Sequence, residues 1–494
     1  MIFEATPLAL TGIVIIIGMF ASISVTLAML SAPQSRHGRI HRAYLLGGLF
    51  VSFIGVGLMA FGAWSAREDS RYGVFAWAGF TLATLMGAGL LLFGLGPFAS
   101  RLLETLHRHA ERLPLPLRLA ARDLAGRRTA TAPAITLTAM ATAFGVALTI
   151  IAVGATAQSR AAYLPRARPG ALLVSPLSSA GTDAVRAAIQ RELPGVPWAE
   201  RQVPRHLPRI RAHVDGLDRP EGAVYPDEVI GDEALLRYLT GDRSTPYDEG
   251  TAVVITTTDV KADSVKIVTG EGDPLTTNTI PAIVARTVDP HMATVFVPAK
   301  VVRDLGHQLE PGELIVDPSL HRTSASEQER LDDRLGDIAE TSVERGFQPW
   351  TGWTAVVAAV LLLALGGALA TGGGRATSPR VGRVLRRAGD GSAATLRWFG
   401  ACRAGLSAAC GTVLGAVAGC PIGMLLIWPL TAATTWDSPP RVPFPTPWPV
   451  IAAVAAGLPV AAAALGGLLV RAQTGSGGVH PREDSWTTPR TFPR

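Results

Sequence analysis

Seven stretches of 24 to 33 residues contain no Asp, Glu, Lys or Arg: Ala5–Ser35, Ala43–Ala66, Tyr72–Ser100, Thr129–Ser159, Gly346–Gly374, Ala404–Trp436 and Val442–Val470. Each holds the roughly 20 apolar residues that a helix rising about 1.5 Å per residue needs to cross a hydrocarbon core. The pattern predicts a polytopic α-helical membrane protein with about seven transmembrane helices. A mixed α/β extracytoplasmic domain is expected between the fourth and fifth. The predicted divisions are 1–100 (three spans), 101–128 (a basic amphipathic segment), 129–159 (one span), 160–345 (the water-soluble domain), 346–471 (three spans) and a disordered tail, 472–494. A composition of 48% hydrophobic and 17% charged residues over 494 residues, with positive mean hydropathy, agrees.

The net charge of +6 is carried almost wholly by arginine, since only Lys261, Lys266 and Lys300 of the 45 basic residues are lysine. A nucleic-acid interface would place these arginines on one soluble face with aromatic partners. They gather at membrane ends instead, so nucleic acid is not an expected partner and the lipid bilayer is. Short cytoplasmic loops retain basic residues and translocated ones lose them. The loop with Arg36, Arg39 and Arg42, the segment Arg101–Arg128 with seven arginines, and the segment Arg375–Arg397 with six are therefore expected in the cytoplasm. Arg67 and Arg71 are offset by Glu68 and Asp69, and Arg441 by Asp437, in the remaining short loops. The N-terminus and the large domain then lie outside the plasma membrane and the C-terminus inside. No basic n-region or small-residue cleavage site marks a removable leader, so the first span is expected to stay as a membrane helix.

Within the sixth span Gly411, Gly415, Gly419 and Gly423 recur every fourth residue. That spacing leaves one helical face bare, for close approach of another backbone. Pro421 and Pro459 favour kinks in the last two spans. No span contains an acidic residue or a deep arginine, which disfavours a proton- or ion-driven pump. Polar groups within the spans are scattered, as at Thr136, Thr138 and Thr142. Cys402, Cys410 and Cys420 all fall in or beside the sixth span and read as buried apolar thiols.

In the external domain, strands are predicted at Gly170–Val174, Ala252–Thr256, Ile280–Val284 and Thr294–Val297, and helices at Asp183–Leu193, Asp232–Leu239 and Val301–Leu305. Ser324 followed by Glu327 is a capping box. It is expected to open a helix whose amphipathic run, Gln328–Arg345, leads into the next span. His206, His213, His291, His307 and His321 lack metal-ligand spacing, and no nucleophile elbow occurs. Gly372–Gly374 lacks the lysine of a phosphate loop. No catalytic, cofactor-binding or metal-binding residue is expected in this chain.

Three spans, the basic stretch Leu117-Arg-Leu-Ala-Ala-Arg-Asp-Leu-Ala-Gly-Arg-Arg-Thr-Ala-Thr-Ala-Pro-Ala134, one span, an external domain and three more spans resemble the C-terminal portion of an FtsX-like (MacB-type) ABC transporter permease. Gly170-Ala-Leu-Leu-Val174, Val297-Pro-Ala-Lys-Val-Val-Arg-Asp-Leu-Gly306 and the glycine-rich sixth span add to the likeness. The resemblance implies a non-catalytic subunit whose cytoplasmic loops engage a separate ATPase. Arg383, Arg386 and Arg387 are the candidate contacts, with Arg36 and Arg39 as counterparts, although the same arginines would also set topology and bind lipid headgroups. It further implies that residues 5–100 are the last three spans of a preceding half, so that a late start, a second permease chain or function in a reduced form would account for the rest. The output would be export or release of a lipid, lipoprotein, peptide or hydrophobic compound. A membrane-anchored sensor or scaffold without an ATPase is the alternative.

Overall fold

In a computed structural model of the chain, residues 38–67, 73–178, 181–205, 210–217, 227–269, 276–287, 289, 292–372, 393–432 and 441–475 are described. The contacts divide the chain into two units, Tyr163–Gln348 and the residues on either side of it. Six helices among the described residues are long and apolar enough to cross a membrane. With the mixed sheet of the other unit they are compatible with a polytopic membrane protein carrying an α/β domain. The first predicted span, Ala5–Ser35, lies outside the described residues, as does the predicted tail.

The helical unit contains α1 (Gly38–Ser65), α2 (Val74–Gly94), α3 (Gly96–His109), α4 (Leu115–Gly126), α5 (Arg128–Ala161), α10 (Gly352–Gly372), α11 (Ala393–Leu430) and α12 (Trp448–Gly475). The third predicted span is broken at Leu95, after which Pro97 opens α3. That fits proline's place in a first helical turn. The apolar stretch of α5 is 83% buried, whereas that of α1, α10 and α12 is 22% buried. Helix α5 is thus the interior element, and the other three turn most of their side chains outward.

The second unit is a ten-stranded mixed sheet of order β10-β1-β9-β2-β4-β8-β5-β7-β6-β3. Its strands are β1 (Leu172–Pro176), β2 (Ala199–Pro204), β3 (Ile210–His213), β4 (Glu228–Gly231), β5 (Ala252–Thr256), β6 (Ser264–Thr269), β7 (Thr276–Arg286), β8 (Thr294–Pro298), β9 (Leu309–Val316) and β10 (Ala339–Val343). The helices are α6 (Thr182–Glu192), α7 (Glu233–Thr240), α8 (Ala299–Asp304) and α9 (Ala325–Leu335). Only β4 with β8 and β5 with β7 run parallel. Every residue of β5 and β8 is buried, as in strands covered on both faces. Leu173, Val253, Ile255, Phe296 and Ile315 face α7 on one side. On the other, Leu172, Val174, Leu314 and Val316 lie under α6 and α9, and Val254, Val295 and Val297 under α8.

The capping box is present: the Glu327 amide donates to Ser324 Oγ, and the Ser324 amide donates to Glu327 Oε2 at 2.7 Å. The helix it opens does not run on to the membrane. Helix α9 ends at Leu335 before Gly336, whose φ of 48° is left-handed and favours glycine. Residues 339–343 then form β10, antiparallel to β1, with Ala339 and Val343 completing the core under α6 and α9. The amphipathic run expected over Gln328–Arg345 is therefore a helix, a glycine stop and an edge strand.

Hydrogen bonds from the Ser324 amide and then its hydroxyl, with His321 alongside, hold the Glu327 carboxyl below its usual range. A depressed folded pKa contributes stability that is full above the unfolded value and is lost as pH falls through the folded one. Glu327→Gln is therefore expected to lower the thermal midpoint of the purified chain at neutral pH, with the deficit shrinking on acidification into the carboxylate range. A deficit that stays constant down to about pH 3 would contradict this account.

Candidate functional site

Helix α11 packs against every other long helix of its unit: α1, α2, α5, α10 and α12, together with the shorter α3 and α4. Its contact with α5 runs through the four glycines. A Cβ on Gly411 would lie 2.6 Å from Thr138 Cβ, one on Gly415 2.6 Å from Thr142 Cβ, one on Gly419 2.5 Å from the Ala143 carbonyl oxygen, and one on Gly423 2.9 Å from Ile150 Cβ. Real side chains do not approach so closely, so only glycine fits at these positions. Residue numbers rise together on the two helices, which makes α5 and α11 parallel. Thr138 also joins α10, because its hydroxyl stands 3.0 Å from the Ala134 carbonyl and 3.2 Å from that of Ala364.

Small residues close the other pairs too. Gly48, Gly55 and Gly62 of α1, spaced by seven, oppose Pro97, Gly94, Gly87 and Thr84, and a Cβ on Gly55 would lie 2.6 Å from the Gly87 carbonyl oxygen. Gly405 and Gly466 bring α11 and α12 together against Ala463 and Ala404. The seven-residue spacing in α1 was available in the sequence as a signal of this contact.

An ion pair sits at the start of the α11 span. Arg403 and Asp123 are both buried, with 6% and 2% of their side chains exposed, and Arg403 Nη1 stands 3.2 Å from Asp123 Oδ2. Arg127 Nε approaches Asp123 Oδ1 at 3.7 Å. Neither Asp123 Oδ2 nor Arg403 Nε makes an aligned hydrogen bond. The attraction is therefore mostly Coulombic, and it fixes α4 to α11. Helix α11 begins eleven residues before Ala404, at Ala393, so Arg403, one residue before the predicted span, is carried into the bundle. An acid flanked by Ala120, Ala121, Leu124 and Ala125, on the buried face of α4, was the sequence signal for it.

At the far end of α11 a second arginine acts differently. Arg441 donates from Nη2 to the carbonyls of Ala66 at 2.8 Å and Trp428 at 3.0 Å, and from Nε to Thr431 Oγ1 at 3.1 Å. Its guanidinium lies 4.7 Å from the centroid of the Trp428 ring. One side chain thus ties the end of α1, the end of α11 and the loop before α12. Trp77 Nε1 donates to Pro429 O at 2.9 Å, and the Val442 amide to Gln158 Oε1 at 3.0 Å, adding α2 and α5 to the same node. Because its partners lie up to 375 residues away, no local pattern announces this role.

Within the sheet unit, Glu344 ties both ends of the domain. Its buried carboxylate accepts from the Tyr163 hydroxyl, from the Arg166 amide at 2.9 Å and from the Gly346 amide at 2.9 Å. Burial, then the Glu344 bond, pushes the Tyr163 phenol well above its ordinary pKa and keeps it a donor. Arg36, Arg383, Arg386 and Arg387 lie outside the described residues, and Arg39 is placed only as part of α1. Among the described residues no group of three His, Cys, Asp or Glu side chains could hold a metal ion.

Arg403→Met would leave the buried Asp123 with only the longer Arg127 contact, a loss of up to about 3–5 kcal/mol. Arg403→Met combined with Asp123→Leu should recover most of it in thermal unfolding of the purified chain. A double variant as unstable as the single one would show that the pair is not the reason. Gly419→Leu should cost about 1–3 kcal/mol or more through overpacking. Gly457→Leu, where a Cβ meets nothing within 4 Å, should be silent by the same measurement.

No protein-family model matches the sequence, and no curated protein matches it.

Proposed function

We propose that the chain is the permease subunit of an ABC transporter of the FtsX-like, MacB type, in which a separate ATPase supplies the energy and this chain performs no catalysis. It lies in the plasma membrane with the N-terminus and the Tyr163–Gln348 domain outside and the C-terminus in the cytoplasm. The supporting observation is the parallel α5–α11 pair, joined through Gly411–Gly423 and anchored to the amphipathic α4 by Asp123 and Arg403. A displacement of α4 at the cytoplasmic surface would carry α5 and α11 with it, because breaking a buried pair leaves an uncompensated charge.

Helix α5 leads through Ala162 directly to Tyr163, and Gln348 leads back toward α10. Motion would enter the external domain at those two connections rather than through a continuous helix. The Glu344 carboxylate ties them together, so the base of the domain would respond as one piece. The cargo class is a lipid, lipoprotein, peptide or hydrophobic compound handled at the outer surface. The ATPase-facing surface is assigned to the cytoplasmic loops, with Arg383, Arg386 and Arg387 in one and Arg36 and Arg39 in the other.

The test is co-expression with a candidate ATPase subunit, purification through a tag on this chain and measurement of ATP hydrolysis. The expected result is a recovered complex whose hydrolysis falls at least about tenfold when Arg383, Arg386 and Arg387 are changed together to Glu, the scale of one lost charge-assisted contact. Retention of no ATPase by the wild-type chain would favour a membrane-anchored sensor or scaffold instead.

A further inference from the structure

Two arginines far apart in the chain meet at one cavity. Arg67 follows α1 and Arg441 precedes α12, yet both line a space of about 560 Å³ beside the last two turns of α11. Its volume falls within the roughly 300–1,000 Å³ of small-molecule pockets. The walls are pinned: Arg441 holds the carbonyls of Ala66 and Trp428, and the Val442 amide is held by Gln158. Phe444 and Ile427 pack at Gly154 of α5, where a Cβ would lie 3.1 Å from Phe444 Cε1 and 2.8 Å from Ile427 Cδ1.

The lining changes character along α11. The Arg441 guanidinium stands at the Trp428 and Thr431 end, and its Nη1 faces the Arg67 carbonyl at 3.5 Å, while the Arg67 guanidinium lies 5.5 Å from the centroid of the Trp64 ring; Met424, Ile427 and Phe444 supply apolar surface. Met424 is seven residues before Thr431, so the apolar part reaches roughly 10 Å further along the helix. Among the described residues no carboxylate lines the cavity. A space with cations at one end and a thioether, an isoleucine and an aromatic ring toward the other matches one chemistry, an anionic head on an apolar chain. Arginine recognises phosphate oxygens through paired N–H donors, and a tryptophan beside it suits the depth where head meets chain.

We infer that this cavity binds a phosphate-bearing amphiphile, with the phosphate between Arg67 and Arg441 and one acyl chain lying along Met424, Ile427 and Phe444. Arg67 is the recognising group. Arg441 adds its charge while its donors hold the fold. The proposal does not need the ATPase; only the leaflet that supplies the amphiphile depends on the orientation given above.

The experiment uses the full chain, purified and delipidated in a neutral detergent. Thermal shift and native mass spectrometry follow separate additions of phosphatidylglycerol, phosphatidylcholine, dodecyl phosphate and inorganic phosphate. Phosphatidylglycerol and dodecyl phosphate are expected to stabilise the chain and to be retained at one per chain. Phosphatidylcholine should be retained at least about tenfold more weakly and inorganic phosphate not at all, tenfold corresponding to ~1.4 kcal/mol. Arg67→Gln should erase the preference for the anionic lipid, and Met424→Trp should lower retention of both chain-bearing phosphates by filling the apolar part. Arg441 is left unchanged because its loss would open the helix ends. Equal retention of the two phospholipids, stabilisation by phosphate alone, or full retention by both variants would each overturn the proposal.

Discussion

The architecture of the helical unit depends on the contact between α5 and α11. In lipid, helices gain nothing by hiding apolar side chains from one another, because the surrounding chains are equally apolar, and association rests on close packing and polar contacts. Four glycines let the α11 backbone settle against α5 until Ala143 O and Ile150 Cβ are within van der Waals reach. Two adjacent parallel helices require a return crossing between them. Helix α10 supplies it, and Thr138 fastens that crossing by sharing its hydroxyl between the Ala134 and Ala364 carbonyls. The sheet unit is inserted where the loop between α5 and α10 would otherwise stand, so the bundle geometry and the site of insertion follow from one constraint.

Among the described residues, charged side chains tie helices together toward both ends of the α11 contact. A lone ion in a low-dielectric setting is unfavourable, while a paired one stabilises chiefly by making its separation costly. Asp123 and Arg403 form such a pair at one end of α11. Arg441 solves a different problem at the other, where helix ends leave carbonyls without intrahelical partners. Its guanidinium satisfies several at once and stacks on Trp428. Arg403 and Trp428 are 25 residues apart on α11, or roughly 38 Å at the helical rise, a little more than a hydrocarbon core of about 30 Å. The two arginines are therefore separated along α11 by slightly more than that thickness.

What the sequence disclosed follows from the range of each interaction. Uncharged stretches locate spans because hydrocarbon tolerates nothing else over that length, and six such helices are present among the described residues. Residues Ala252–Thr256 read as a strand and are one, since burial on both faces of the sheet demands an unbroken apolar run. The capping box at Ser324 was legible because it is complete within four residues. Helix α9 stops before Gly336 instead of running on to Arg345, because residues 339–343 pair with β1, a partner more than 160 residues away that no local pattern reveals. The order of the ten strands, the Arg441 node and the Asp123–Arg403 pair involve residues far apart in the chain and could not be read locally. For the pair, an aspartate on the apolar face of α4 was a signal that pointed to a missing cation without naming it.

A centre filled by α5 bears on how the bundle can move. Packed interiors are stiff, and interfaces shift between discrete arrangements rather than deforming smoothly. Sliding α11 along α5 by one glycine step would exchange Thr138 for Thr142 opposite Gly411, and the four-residue spacing on both helices leaves that second register sterically close to the first. The ends decide whether it is reached. At one end the step would separate Arg403 from Asp123. At the other it would pull Trp428 and Thr431 away from the loop that carries Arg441. An interface permissive along its length and latched at both termini is held in place by a few polar contacts, so its equilibrium is most sensitive to what binds near those contacts.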